Sequence, residues 1–179
     1  MIYVFLADGF EEIEAITVID ILRRAGLETV TVGIGSREIE GAHGIKVTAD
    51  IPDSAAETTG IDMVVLPGGM PGTRNLERSE TVRNTIEYAA ANDLYIAAIC
   101  AAPSIPGHMG LLKGKQAVCY PGYEKDLTGA EIFDEPFTVS GKIITGRSAG
   151  HSQAFALKLV EILCGSEKSQ EIMALLLCL

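Results

Sequence analysis

Short apolar runs alternate with stretches of helical periodicity along the chain, the signature of an α/β domain built on a largely parallel sheet. Residues 2–7 (IYVFLA) read as a first strand. Residues 11–25 read as a helix ending at Gly26, with Arg23 and Arg24 in its last turn, where positive charge suits the helix dipole. The alternation in 28–34 predicts a second strand, and 37–50 a hairpin around Gly41 and Gly44. Residues 62–66 (DMVVL) predict a buried strand that stops at Pro67-Gly68-Gly69. A helix is expected over 79–92, and 94–99 (LYIAAI) is the most apolar strand. A helix near 103–112, a strand at 116–119, β segments near 137–145 and helices at 149–164 and 167–177 follow. Gly and Pro cluster only at strand ends, and no repeat or linker interrupts the pattern, so residues 1–179 are expected to form one domain.

Composition narrows the function classes. The chain has 179 residues, 47% hydrophobic and 21% charged, enough to build a core without staples. With 14 basic and 24 acidic side chains, its formal net charge is −10. So acidic a surface repels phosphate backbones, so neither nucleic acid nor an anionic membrane is an expected partner. No apolar run approaches bilayer-spanning length, and the opening residues read as a strand rather than a signal peptide. Cys100, Cys119, Cys164 and Cys178 are spaced by 19, 45 and 14 residues, and His43, His108 and His151 are scattered. That pattern encodes neither a zinc site nor a disulfide framework, and the expected compartment is the cytoplasm.

In an open α/β sheet the ligand crevice lies beyond the carboxyl ends of the strands. Three strand ends carry unusual residues: Asp8-Gly-Phe-Glu-Glu-Ile-Glu14, Pro67-Gly-Gly-Met-Pro-Gly72 and Cys100-Ala-Ala-Pro-Ser104. If those strands are neighbours, a thiol, a glycine-rich loop and a carboxylate cluster converge. Cys100 falls where an apolar strand turns into a helix marked by Pro103, with small residues at 101 and 102 that suit a nucleophile elbow. Free helix N–H groups there are expected to lower the thiol pKa. Free cysteine is also a common buried apolar residue, and position alone leaves both readings open. For the other three cysteines the buried reading is expected. Gly68-Gly69 reads as a turn or as amides for an oxyanion hole. Glu11 and Glu12 are explained by the helix dipole. Glu14 has Phe10, Val18 and Ile21 along its face, surroundings that raise a carboxyl pKa.

These motifs resemble the ThiJ/PfpI superfamily over essentially the whole chain. Further carriers are Asp20-Ile-Leu-Arg-Arg-Ala-Gly26, Asp62-Met-Val-Val-Leu-Pro-Gly-Gly69, Ile96-Ala-Ala-Ile-Cys-Ala-Ala-Pro103 and Ile144-Thr-Gly-Arg-Ser-Ala-Gly150. The resemblance implies a flavodoxin-like α/β sandwich, mostly parallel with helices on both faces, and a homodimer through helix 11–25. It also implies Cys100 as nucleophile, Glu14 as the carboxylate on its sulfur, and Gly68, Gly69 and Ala101 as backbone donors. The activities it implies are deglycase and cofactor-independent glyoxalase action on reactive dicarbonyls or their protein adducts, with no metal or organic cofactor. An oxidative-stress sensor or chaperone-like protein is the alternative.

Three positions depart from that pattern. Ala101 stands where protease-like branches carry histidine after the nucleophile, which makes a cysteine peptidase the least favoured reading. Tyr120-Pro121 replaces a frequent His-Pro, leaving Tyr120 as a candidate substrate contact. His43 aligns with an arginine near the dimer-facing hairpin of relatives and is a second candidate contact. His108 and His151 are the remaining histidines that folding could bring to Cys100.

Overall fold

A computed structural model gives the fold, and residues 1–177 are described. Seven strands form the main sheet: β1 (Ile2–Leu6), β2 (Thr29–Gly33), β5 (Ile51–Pro52), β6 (Met63–Leu66), β7 (Tyr95–Ile99), β10 (Phe137–Ser140) and β11 (Ile143–Gly146). Their spatial order is β10-β11-β7-β6-β1-β2-β5, and only the β10–β11 pair is antiparallel. The five long parallel strands, counted in chain order, thus lie 2-1-3-4-5, the flavodoxin-like arrangement. The order reverses between β1 and β6, and β7 is the next strand over.

The central strands β1, β6 and β7 are buried on both sides, which is why they read as continuous hydrophobic runs. Ile2, Val4, Leu6, Met63, Val65, Ala97 and Ile99 point to one face and pack with helices α1 (Glu12–Arg24), α5 (Ser152–Cys164) and α6 (Ser166–Leu175). Tyr3, Phe5, Val64, Leu66, Ile96 and Ala98 point to the other. They meet α2 (Gly72–Arg78), α3 (Glu80–Ala91) and α4 (Ser104–His108) through Leu76, Val82, Ile86 and Ile105. The hairpin β3 (Glu38–Glu40) and β4 (Lys46–Thr48) folds beyond the β1 end, and β8 (Gln116–Ala117) pairs with β9 (Glu131–Ile132). Among the described residues no helix is long and apolar enough to cross a membrane.

Several elements differ from the sequence pattern. The helix expected over 103–112 is only α4, and residues after it run through turns with Gly110 and Gly114 in the left-handed region. The strand expected at 116–119 ends at Ala117. The helix expected from 149 opens as a 3-10 turn, Ala149–His151, before α5. Helix α2 is absent from the pattern because Pro71-Gly72 reads as a turn and Leu76 is its one large apolar anchor. Cys164 is exposed, against the buried reading, because it is the last residue of α5, beyond the turns that pack on the core. Cys119 is buried, and Cys178 lies outside the described residues.

Phe155 is fully buried between α5 and the sheet, and α5 in turn holds the 148–151 segment in place. Phe155→Ala is expected to cost about 3–5 kcal/mol by transfer and cavity terms. Urea unfolding followed by circular dichroism measures that loss.

Candidate active site

The topology brings the three unusual strand ends together. Loop 7–11 follows β1, loop 67–71 follows β6, and Cys100 follows β7. Backbone hydrogen bonds interlock them: Glu11 N–H donates to Gly68 O at 2.9 Å and Gly72 N–H to Gly9 O at 3.1 Å. The packing leaves no room for side chains. A Cβ on Gly69, which holds φ at +88°, would stand 2.3 Å from the Glu11 nitrogen, and one on Gly68 would stand 2.7 Å from Cys100 Cβ.

Cys100 has φ +66°, a left-handed conformation that a residue with a side chain adopts at a cost of roughly 1–3 kcal/mol. Two bonds hold it there: Cys100 N–H donates to Gly146 O at 2.9 Å, and Tyr120 N–H donates to Cys100 O at 2.8 Å. The strained turn lifts the thiol off the strand end into a cavity of about 420 Å³. The amides of Ala101 and Gly69 reach the sulfur. Gly68 N–H serves the neighbouring carboxylate instead, donating to Glu14 Oε2 at 2.8 Å.

Glu14 is the electrostatic centre of the site. Its side chain is 0% exposed, Oε1 has no hydrogen-bond partner, and the Cys100 thiol is close enough to act on its ionisation. Burial pushes its pKa up from 4.5 to about 7, opposed by the Cys100 and Gly68 hydrogen bonds and assisted by the charge of Glu11. The expected lowering of the Cys100 pKa is corrected: the thiol is pushed up. Burial is the largest cause and the Glu14 charge the next, and together they outweigh the two amides. Helix α4 adds little because it has only five residues. Near neutrality the thiol therefore keeps its proton while Glu14 passes between carboxyl and carboxylate, since two adjacent buried anions are disfavoured.

Of the remaining candidates, Tyr120 lines the cavity with its side chain 48% exposed, whereas His43 does not line it. His43 Nδ1 lies 2.7 Å from Glu12 Oε2 and 3.8 Å from Glu11 Oε2. Its hydrogen bond to Glu12, then the charges of Glu11 and Glu12, push the His43 pKa up. Burial works against ionisation of Glu12, yet hydrogen bonds from His43 and backbone amides hold its pKa down. Glu11, Glu12 and His43 are close enough to share a cation, with ligand atoms within 4.8 Å of one another. Glu12 is nevertheless satisfied by the His43 amide and ring. His108 bridges Glu77 and Asp126, and His151 bonds Ser148 Oγ at 2.9 Å. Neither lines the cavity. Sequence reasoning missed Glu11, Met70, Tyr123 and the 148–150 segment as lining residues. The Ser148-Ala149-Gly150 motif was visible, but nothing local to it indicates that it faces Cys100.

A doubly wound sheet with a cysteine on a strained elbow, paired with a buried carboxyl at the topological switch point, defines a class of cysteine-centred α/β proteins. Comparison with known proteins makes the assignment specific. Residues 1–162 match the DJ-1/PfpI family model, and the chain belongs to that family. It is 37% identical over 173 residues to Protein DJ-1 homolog B of Arabidopsis thaliana, covering 96% of this chain and 40% of that one. The chain thus spans less than half the length of the two plant relatives it matches. It is 29% identical to the glutathione-independent glyoxalase DJR-1.2 of Caenorhabditis elegans, covering 91% and 88% of the two chains. The solved structure of oxidized Toxoplasma gondii DJ-1 superposes with a TM-score of 0.94 at 36% identity, covering 98% of this chain and 97% of that one.

The Glu14 shift has a thermodynamic consequence. The native state holds the Glu14 proton more tightly than the unfolded chain, so its contribution to stability is full below pH 4.5 and lost as pH rises to about 7. Moving the pKa from 4.5 to about 7 corresponds to on the order of 3 kcal/mol. Glu14→Gln, which keeps an acceptor for Gly68 N–H, is expected to be more stable than wild type at pH 8 by about that amount. Thermal melts at pH 8 and pH 4.5 check this, with the advantage vanishing at the lower pH.

Proposed function

We propose that this chain is a cofactor-independent glyoxalase of the DJ-1 type acting on small reactive dicarbonyls, with early dicarbonyl adducts on proteins as extended substrates. The observation that carries the reading is the Cys100–Glu14 pair. It sets a thiol beside a carboxyl with a pKa of about 7 in one small cavity, next to the amides of Gly69 and Ala101, which supports a nucleophile working with an acid/base. The naming of a family relative as a glutathione-independent glyoxalase supports it.

With methylglyoxal, the Cys100 sulfur adds to the aldehyde carbon, and the thiol proton passes through Glu14 to the aldehyde oxygen, giving a hemithioacetal. The amides of Gly69 and Ala101 hold that oxygen while it carries negative charge. Glu14, again a carboxylate, takes the proton from C1 and returns it to C2, while the hydroxyl proton on the C1 oxygen passes to the C2 oxygen, which converts the hemithioacetal to a lactoyl thioester. Water hydrolyses the thioester to lactate and restores the thiol, so the sum is methylglyoxal plus water giving lactic acid. The chemistry needs no electron acceptor. A free thiol as working group suits a reducing compartment such as the cytoplasm.

A sensor reading is favoured by one specific observation. Glu14 Oε1 is buried with no other partner, so a protonated Glu14 can donate to an oxidised sulfur. Two equivalents of peroxide would take the thiolate to a sulfinate. The two readings separate at Glu14. Cys100→Ser is expected to abolish methylglyoxal consumption, and Glu14→Gln to lower it about a hundredfold to ten-thousandfold while leaving Cys100 open to alkylation. Lactate released is measured directly. A Glu14→Gln variant that keeps near-wild-type turnover would sink the enzyme mechanism and leave the sensor standing.

The chain is also proposed to form a two-fold homodimer through α1. Its inward side chains Ala15, Val18, Ile21 and Leu22 are buried, yet Ile13 and Ile16 remain 56% and 42% exposed. Ile45 on the neighbouring hairpin is 56% exposed. Such an exposed apolar patch supports pairing with a second copy about a two-fold axis. Light scattering at micromolar concentration is expected to give twice the chain mass, and Ile16→Asp to shift it towards the monomer.

A further inference from the structure

The Cys100 cavity carries a charge imbalance that the proposed chemistry does not use. Glu11 and Glu14 line it, and among the described residues no lysine, arginine or histidine does. Glu14 is committed to the thiol and to the Gly68 amide. Glu11 is not committed in this way: it stands at the N-cap of α1, yet its side chain caps no amide. It is close enough for its charge to be felt by Glu14. The imidazole that approaches Glu11 is His43, but Nδ1 lies 3.8 Å from Glu11 Oε2 and 2.7 Å from Glu12 Oε2. Even with His43 protonated, the group Glu11, Glu12 and His43 sums to −1. On the facing wall Ser148, Ala149 and Gly150 lead into α5. A helix N-terminus contributes about half a positive charge, less than the full negative charge of Glu11.

We infer that Glu11 is a specificity residue of this site: it admits neutral and cationic electrophiles to Cys100 and turns away anionic ones, such as 2-oxo acids bearing a free carboxylate. The cavity is small and walled by Met70, Tyr120 and Tyr123, so solvent screens a like-charge encounter there less than it does in bulk water. Rejection by an unpaired like charge also needs no change in how the accepted substrate is held. The inference rests on reading this pocket as a site for small electrophiles, and it names the charge class admitted.

Iodoacetamide and iodoacetate test it directly. They are nearly the same shape and alkylate by the same displacement, in which the sulfur bonds to the CH2 carbon and iodide leaves. They differ by one negative charge. Rate constants at Cys100 are followed by peptide mass spectrometry at one pH, and each is divided by the same reagent's rate with 2-mercaptoethanol. The thiolate fraction cancels in the ratio, and peptide mapping separates Cys100 from the exposed Cys164. The normalised preference for iodoacetamide is expected to be about tenfold in wild type, to fall by roughly threefold or more in Glu11→Gln, and to persist in Glu11→Asp. Equal normalised rates in wild type overturn the inference, and this arm needs no variant to fold. An unchanged preference in a folded Glu11→Gln overturns it equally. Alkylation does not require dicarbonyl turnover, so a failed glyoxalase assay would remove the proposed function without altering this result.

Discussion

A carboxyl group taken wholly out of water beside a thiol is an unfavourable thing to build, and the arrangement around Glu14 is organised to tolerate it. An unpaired buried carboxylate would cost several kcal/mol, and two adjacent anions more. The chain meets this by giving Glu14 one firm donor, the Gly68 amide, and leaving its second oxygen to the sulfur. Every neighbouring choice follows. Position 68 must lack a side chain, because a Cβ there would collide with both Cys100 and Glu14. Cys100 must leave the strand in a left-handed turn to face the carboxyl. The result is a protonated thiol beside a carboxyl that titrates near neutral pH, instead of a thiolate that is always ready.

The sheet makes this affordable by concentrating strain at one place. Strands β1, β6 and β7 are buried on both faces, and their register fixes where each chain segment leaves the sheet. The reversal of strand order between β1 and β6 opens the crevice, and Cys100 stands one strand away from it. The elbow is held from two further directions, by Gly146 at the end of β11 and by the amide of Tyr120. Four separated stretches of sequence therefore meet at one thiol.

The central strands were legible because β1, β6 and β7 are uninterrupted apolar runs, and β2 because its apolar and polar residues alternate. That also made three strand-end motifs visible as candidates, and Cys100 and Glu14 followed from elbow chemistry and helical periodicity. Short elements were not legible: α2 begins with Pro71-Gly72, and β5 is two residues long. The direction of the Cys100 shift was not legible either. The local signal, small residues before a helix, favours the thiolate, whereas burial and the Glu14 charge arise only after three loops meet. Glu11 illustrates a third limit. Its position at the helix start explains it without a site, and nothing in helical spacing tells which way an N-cap side chain points.

The glycine contacts between the loops bear on how the molecule comes apart. With no space for a Cβ at Gly9, Gly69 or Gly72, loop 67–71 rests directly on the backbone that opens α1. Neither segment can shift without carrying the other, and α1 is itself packed on the sheet and on α5. The pocket is therefore part of the cooperative unit that contains the core, not a lid that frays ahead of it. Hydrogen exchange at the Gly68 amide should consequently report global unfolding: the site disappears when the fold does, and in the same step.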